Sequence, residues 1–193
     1  MDESEMTNEY LERERDRRGV FEAFVEEPYN HYGQRGQVDL HLDQYDLHTV
    51  VEFKSEYAAK KSTGANEIIR QFNKARKSFF AGTNHTPDEQ DNIVFKLIFE
   101  NTNYNIKHIS DNGEMYVRVV EDSTPIEGIP QSAPVITKIL IMNQWEKERM
   151  GSCLMIANQT IVQKSILDLV GCMRIKVIKN NSIVLTELFH YWQ

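Results

Sequence analysis

The sequence predicts an α/β (α+β) protein in which a mixed central sheet is flanked by helices. Three observations carry that reading. Gly36 to Leu42 and Thr49 to Lys54 alternate with a period of two across a short polar turn that includes Asp43, Gln44 and Asp46, as paired strands do. Asn66 to Phe80 repeats apolar side chains at Ile68, Phe72, Ala75 and Phe79, the spacing of a helix that packs one face on a sheet. Asn92 to Glu100 contains the unbroken run Ile93 to Phe99, with the length of a buried strand. Strands that alternate with helices fold into layers around one sheet.

The elements follow in chain order. From Thr7 to Glu26 helix formers dominate, Tyr10, Phe21, Phe24 and Val25 share a stripe, and Pro28 closes the segment, so a helix is expected there. Ser55 to Ala65 is a polar connection, and Gly82 to Asp91 is a polar loop containing Pro87. Asn105 to Ile109 and Met115 to Val120 read as strands joined by the turn signal Asp111-Asn112-Gly113. Pro125, Gly128, Pro130 and Pro134 mark residues 121–134 as a linker. The expected division is therefore a core over 1–120, a linker over 121–134 and a second, small domain over 135–193.

Composition limits the classes of function. With 193 residues, 40% hydrophobic and 26% charged, the chain matches an ordinary globular protein. No apolar run reaches the ~18 residues of a membrane span. Its acidic start, Met1-Asp2-Glu3-Ser4-Glu5, is unlike a signal or transit peptide, and a cytoplasmic location is expected. Cys153 and Cys172 lack companions at zinc spacing and read as two reduced, packed thiols. The net charge of −7 is unevenly spread, because residues 135–193 carry seven basic against four acidic side chains. A phosphate senses charge only within about 10 Å, so that distribution leaves nucleic acid open as a partner.

Chemistry concentrates on the two alternating strands. Glu52 and Lys54 share one face of the second strand, and Asp39 lies in the first. Two carboxylates and an ammonium suit a site that holds a hard divalent cation for phosphodiester hydrolysis. His41 also points from the first strand toward a face, but a half-buried strand histidine needs no ligand role. On the Asn66–Phe80 helix, Arg70, Lys74 and Lys77 gather on one face, with Gln71 beside the apolar stripe.

The order Gly36-x-x-Asp39, polar turn, apolar strand ending in Glu52-Phe53-Lys54 and then a helix resembles the core of the PD-(D/E)xK, restriction-endonuclease-like, nuclease superfamily. Its layout is most similar to Holliday-junction-resolvase and RecB-like members. The resemblance covers the N-terminal two thirds of the chain and implies a Mg²⁺- or Mn²⁺-dependent phosphodiesterase. It implies metal ligation by Asp39, Glu52, the backbone carbonyl of Phe53 and one helix carboxylate, for which Glu22 is the choice and Glu14 the rival. Lys54 would position water, and Gln71 would act as an active-site or substrate contact. The RecB-like Gln-x-x-x-Tyr pattern departs here to Gln71-Phe72-Asn73-Lys74-Ala75. DNA is the implied substrate, with RNA as the alternative polymer, a catalytically inert binding protein as the rival class, and a homodimer as the assembly.

The C-terminal part resembles a winged-helix domain, with helices over Ile136–Met150, Ser152–Ala157 and Ile161–Val170 and a hairpin of Met173–Ile178 with Ser182–Thr186. A dimerisation module or an extension of the nuclease sheet stands beside that reading. As a winged helix it would bring Gln163 and Lys164 to a groove and Arg174, Lys176 and Lys179 to phosphates.

Overall fold

In a computed structural model the described residues are 1–142, apart from 20 and 63, together with the backbone of four C-terminal strands. The elements are α1 (Glu3–Arg18), β1 (Glu22–His31), β2 (Gln34–Gln44), β3 (Leu47–Lys54), α2 (Glu56–Lys61), α3 (Ala65–Gly82), β4 (Asn92–Phe99), α4 (Asn103–Asp111), α5 (Gly113–Glu121) and β5 (Val135–Ile141). The C-terminal strands are β6 (Leu154–Ala157), β7 (Thr160–Lys164), β8 (Arg174–Lys179) and β9 (Ser182–Glu187).

Strands β1 to β5 form a mixed sheet in sequence order. The first three are antiparallel neighbours, while β3, β4 and β5 run parallel. Each parallel step is bridged by helices, as a crossover requires. Antiparallel pairing continues from β5 through β9.

Helix α1 covers one face of this sheet. It opens on a reciprocal capping box in which Asp2 accepts from the Glu5 N–H and Glu5 accepts from the Asp2 N–H. Met6, Tyr10 and Leu11 then pack on Leu40, Leu42, Val51, Phe53, Ile98 and Leu140. Burial of each such side chain stabilises by about 1.5–3 kcal/mol before entropy is counted. Lys96 is buried on the same face and donates to the Tyr10 hydroxyl at 2.8 Å. The other face carries α3 and α5, where Ile68, Phe72 and Phe79 meet Val50, Phe95, Leu97 and Phe99 beneath Tyr116 and Val119.

Several sequence expectations change. The helix expected over Thr7–Glu26 ends at Arg18, and Gly19, at φ 78°, closes it in a conformation that favours glycine. Phe21, Phe24 and Val25 thus lie beyond the helix, with Phe24 and Val25 in β1, and their apparent helical stripe came from joining two elements. Residues 105–109 and 115–120 are helical, because Ile106, Ile109, Tyr116, Val119 and Val120 recur at helical spacing and Thr102 caps the Asn105 N–H at 3.2 Å. Asp111-Asn112-Gly113 joins two helices, and Asn112 caps both.

Residues 136–141, 154–157 and 161–164 lie in strands where helices were expected. Val135–Ile141 is rich in β-branched residues and finds an open edge beside β4. A hairpin of β8 and β9 is present. The rest of the expected C-terminal helices, Cys153, Cys172 and the side chains of Gln163, Lys164, Arg174, Lys176 and Lys179 lie outside the described residues. Among the described residues, no helix is long and apolar enough to cross a membrane.

Candidate active site

The site forms where β2 and β3 part. Their ladder runs from Gln44 opposite Leu47 to Leu40 opposite Val51 and stops there. Alternation also breaks, since Val38 packs with the α3-side cluster whereas Leu40 and Leu42 pack with α1. Asp39 sits at that break and reaches across the gap, its Oδ2 accepting from the Phe53 N–H at 2.6 Å. In a strand, the N–H and C=O of one residue point the same way, so the Phe53 carbonyl also faces the gap. Lys54 faces the other neighbour, its carbonyl accepting from the Glu100 N–H at 2.9 Å.

Glu52 and Lys54 are both buried at the end of β3. Burial pushes the Glu52 carboxyl well above its usual range, and the Asp39 and Glu3 charges push it further, with the Lys54 ammonium as the opposing influence. Asp39 is raised for the same first reason, burial, against the Phe53 hydrogen bond and Lys54. Glu52 also acts on Tyr29, whose phenol is pushed up to about 12 chiefly by burial. The arrangement therefore concentrates negative charge in a poorly solvated place, as a divalent cation requires.

Two acids that sequence reasoning missed complete the group. Glu3, in the first turn of α1, places Oε1 3.8 Å from the Lys54 ammonium and 3.4 Å from the Ser55 amide nitrogen. Glu26 lies opposite Asp39 and acts on its charge. Glu26 holds φ 52°, a left-handed conformation at a break in β1. The signal for Glu3 was present as Asp2-x-x-Glu5, a capping box that starts the helix four residues before Thr7. Nothing comparable in the sequence marks Glu26.

The helix carboxylate expected at Glu22 is corrected. Glu22 is exposed at the start of β1, opposite Asp43, and four residues from Glu26, which is roughly 13 Å along a strand. Glu14, its rival, is buried near the far end of α1 with Arg17 at 3.5 Å. The acid that α1 brings to the site is Glu3.

The main charges acting on Asp39 and Glu52 come from elements other than α3. Exposed Gln71 donates to Glu67 at 2.9 Å, and Arg70 pairs with the same Glu67 at 2.7 Å. Lys74 donates to the Arg35 carbonyl, and Lys77 lies 3.3 Å from Asp122. His41 is fully buried and belongs to a different cluster.

Two diverging strands present an acid, Asp39, then an acid and a lysine one residue apart, Glu52 and Lys54. A family model described as a PD-(D/E)XK nuclease superfamily domain matches residues 1–170, and the chain belongs to that superfamily. No curated protein and no solved structure matches it.

Proposed function

We propose that this protein is a divalent-metal-dependent DNA endonuclease with Asp39, Glu52 and Lys54 at its centre. The observation that carries the reading is a half-buried carboxylate, Asp39, and a buried one, Glu52, both raised by loss of solvent and set against one ammonium where the β2–β3 ladder opens. Asp39, Glu52 and the Phe53 carbonyl would hold Mg²⁺ or Mn²⁺, with Glu3 as the helix carboxylate in place of Glu22. Such an ion, when bound, supplies Lewis-acid stabilisation of the phosphate and makes water more acidic.

The remaining chemistry belongs to the chain. Lys54, restrained near Glu3, orients the attacking water and offsets charge as it develops on the phosphate. Asp39 is held by the Phe53 N–H, so its carboxylate is preorganised and needs no reordering on substrate entry. Beside Lys54, α2 presents exposed Tyr57 and, toward Tyr104, the Lys60 ammonium 4.9 Å from the ring centroid. That aromatic and basic surface suits an unpaired base and its phosphate. Arg70, Gln71, Lys74 and Lys77 supply further backbone contacts from α3, exchanging their present acceptors for phosphate oxygens. Cutting both strands of a duplex at one place needs two such centres, so a homodimer is the proposed assembly, read by sedimentation velocity.

The test is incubation of purified protein with labelled linear, single-stranded and branched DNA and with matched RNA, in Mg²⁺ and in chelator. Internal cleavage of DNA only with Mg²⁺ is expected. Cleavage of RNA alone would move the substrate class, and no cleavage of any polymer would favour an inert binding protein.

A further inference from the structure

A second cluster of ligating side chains lies on the α3 side of the sheet, toward the other end of β3. Glu27 of β1, His41 of β2 and His85 in the loop after α3 each offer one ligand atom, and these atoms lie within 4.8 Å of one another. Glu27 is centred between the two imidazoles, with Oε2 3.0 Å from His41 Nδ1 and Oε1 2.7 Å from His85 Nε2. Phe24 and Glu27, three residues apart, line the same cavity because β1 breaks at Glu26. That cavity, about 470 Å³, opens beside Glu27 and His85 and leaves room for a solvent ligand.

We infer that Glu27, His41 and His85 form a binding site for a borderline transition-metal ion of the Zn²⁺ class, separate from the hard-cation centre at Asp39 and Glu52. Two imidazoles and one carboxylate with an open fourth position are a zinc donor set, whereas Mg²⁺ favours oxygen ligands. A tetrahedral ion with bonds of about 2.1 Å holds its ligand atoms about 3.4 Å apart, so side-chain rotation closes the observed group around it. The outer partners are also in place. With Nδ1 of His41 on the metal, its Nε2–H faces His48 Nδ1 at 3.2 Å, and His48 Nε2 lies 3.5 Å from Asp91. A ligating histidine whose second nitrogen is fixed in this way is held in the required tautomer. Phe24 and Phe79 pack against the His41 ring and wall off the inner side from water. The two centres share no ligand, since Glu27, His41 and His85 are all outside the group of Asp39, Glu52, Lys54, Glu3 and Glu26.

Such a site ties the loop after α3 to β1 and β2. The inference stands apart from the nuclease reading and is tested without a cleavage assay. Metal-stripped protein is titrated with Zn²⁺ by calorimetry and with Co²⁺ by visible absorption. One equivalent per chain with a tetrahedral cobalt spectrum is expected, retained in Glu52→Gln and lost, at least 100-fold in affinity, in His85→Ala and Glu27→Gln. His85 is on a partly exposed loop, which makes its truncation the milder variant; circular dichroism checks that both variants are folded. The absence of stoichiometric Zn²⁺ uptake would overturn the inference. So would uptake that Glu52→Gln abolishes while His85→Ala leaves it intact.

Discussion

Asp39 and Glu52 are acids that the native protein holds at a cost in the absence of a cation. The sign of the linkage follows from the direction of the Glu52 shift. An unfolded glutamate titrates near 4.5, while the native carboxyl titrates well above it, so the native state binds the proton more tightly. Stability without divalent metal is therefore greatest below that unfolded value and falls as pH rises through the native one. Glu52→Gln, which keeps shape and removes charge, should raise the melting temperature at pH 8 in chelator and narrow that gain toward pH 4.5. Thermal unfolding across pH checks it, and a lowered melting temperature at pH 8 would contradict the charge argument.

Arg76 and Asp122 give the opposite case. Arg76 is buried on α3 and pairs with Asp122 at 2.6 Å. Burial alone would raise the Asp122 carboxyl, but hydrogen bonds from Thr124 and the Arg76 charge hold it down at about 2. Here stability is present above the unfolded value of 3.8 and is lost as pH falls through about 2. Asp122→Asn should destabilise by about 2–4 kcal/mol at pH 7, since it strands a buried guanidinium. About half of the linked contribution should be gone by pH 3, as urea titrations at the two pH values would read. At this scale strand periodicity placed Glu52 and Lys54 on one face, and the resemblance of Gly36-x-x-Asp39 and Glu52-Phe53-Lys54 to the superfamily pattern made the three legible as a candidate site. Glu3 was signalled only through the capping box that sets where α1 starts, and Glu26 by nothing, since hydropathy does not record a backbone break.

Among the elements, residues 122–134 show how composition and packing part company. Proline and glycine mark a linker, yet Ile126, Ile129 and Ala133 pack on the α3-side core. Gly128 lies at φ 80° against the end of α3, where an added Cβ would meet the Ala81 nitrogen and come 2.7 Å from the Phe80 carbonyl carbon. Gly128→Ala is expected to cost about 2–4 kcal/mol through strain and backbone clash together. Denaturant unfolding checks it, and a change below 0.5 kcal/mol, the ordinary surface range, would show the segment is loosely held. Helices α4 and α5 escaped the sequence reading because short runs such as Met115-Tyr116-Val117-Arg118-Val119-Val120 are β-branched and alternate over a few residues. The Thr102 cap and the fit of Tyr116 and Val119 to the core override that local preference.

At the scale of the whole molecule, one sheet separates two packed faces and carries both candidate centres. Its middle was readable, since β2, β3, α3 and β4 have strong periodicity and clear turn residues. Its margins were not. The α1 boundary depended on a cap at Asp2, and β5 depended on an open edge of β4 that only the assembled sheet provides. Membership in the PD-(D/E)XK superfamily fits that outcome: the residues that carry the resemblance, Gly36-x-x-Asp39 and Glu52-Phe53-Lys54, lie on the central strands β2 and β3.

The central claim is that Asp39 and Glu52 act on a phosphodiester bond and are not merely buried charges. The direct measurement compares cleavage and binding of labelled DNA by the wild-type chain, Asp39→Ala and Glu52→Ala, with Mg²⁺ present. The account predicts that both variants lose cleavage by at least 100-fold while DNA affinity is unchanged or slightly higher, each carboxylate having repelled phosphate. Full Mg²⁺-dependent cleavage by either folded variant would contradict it.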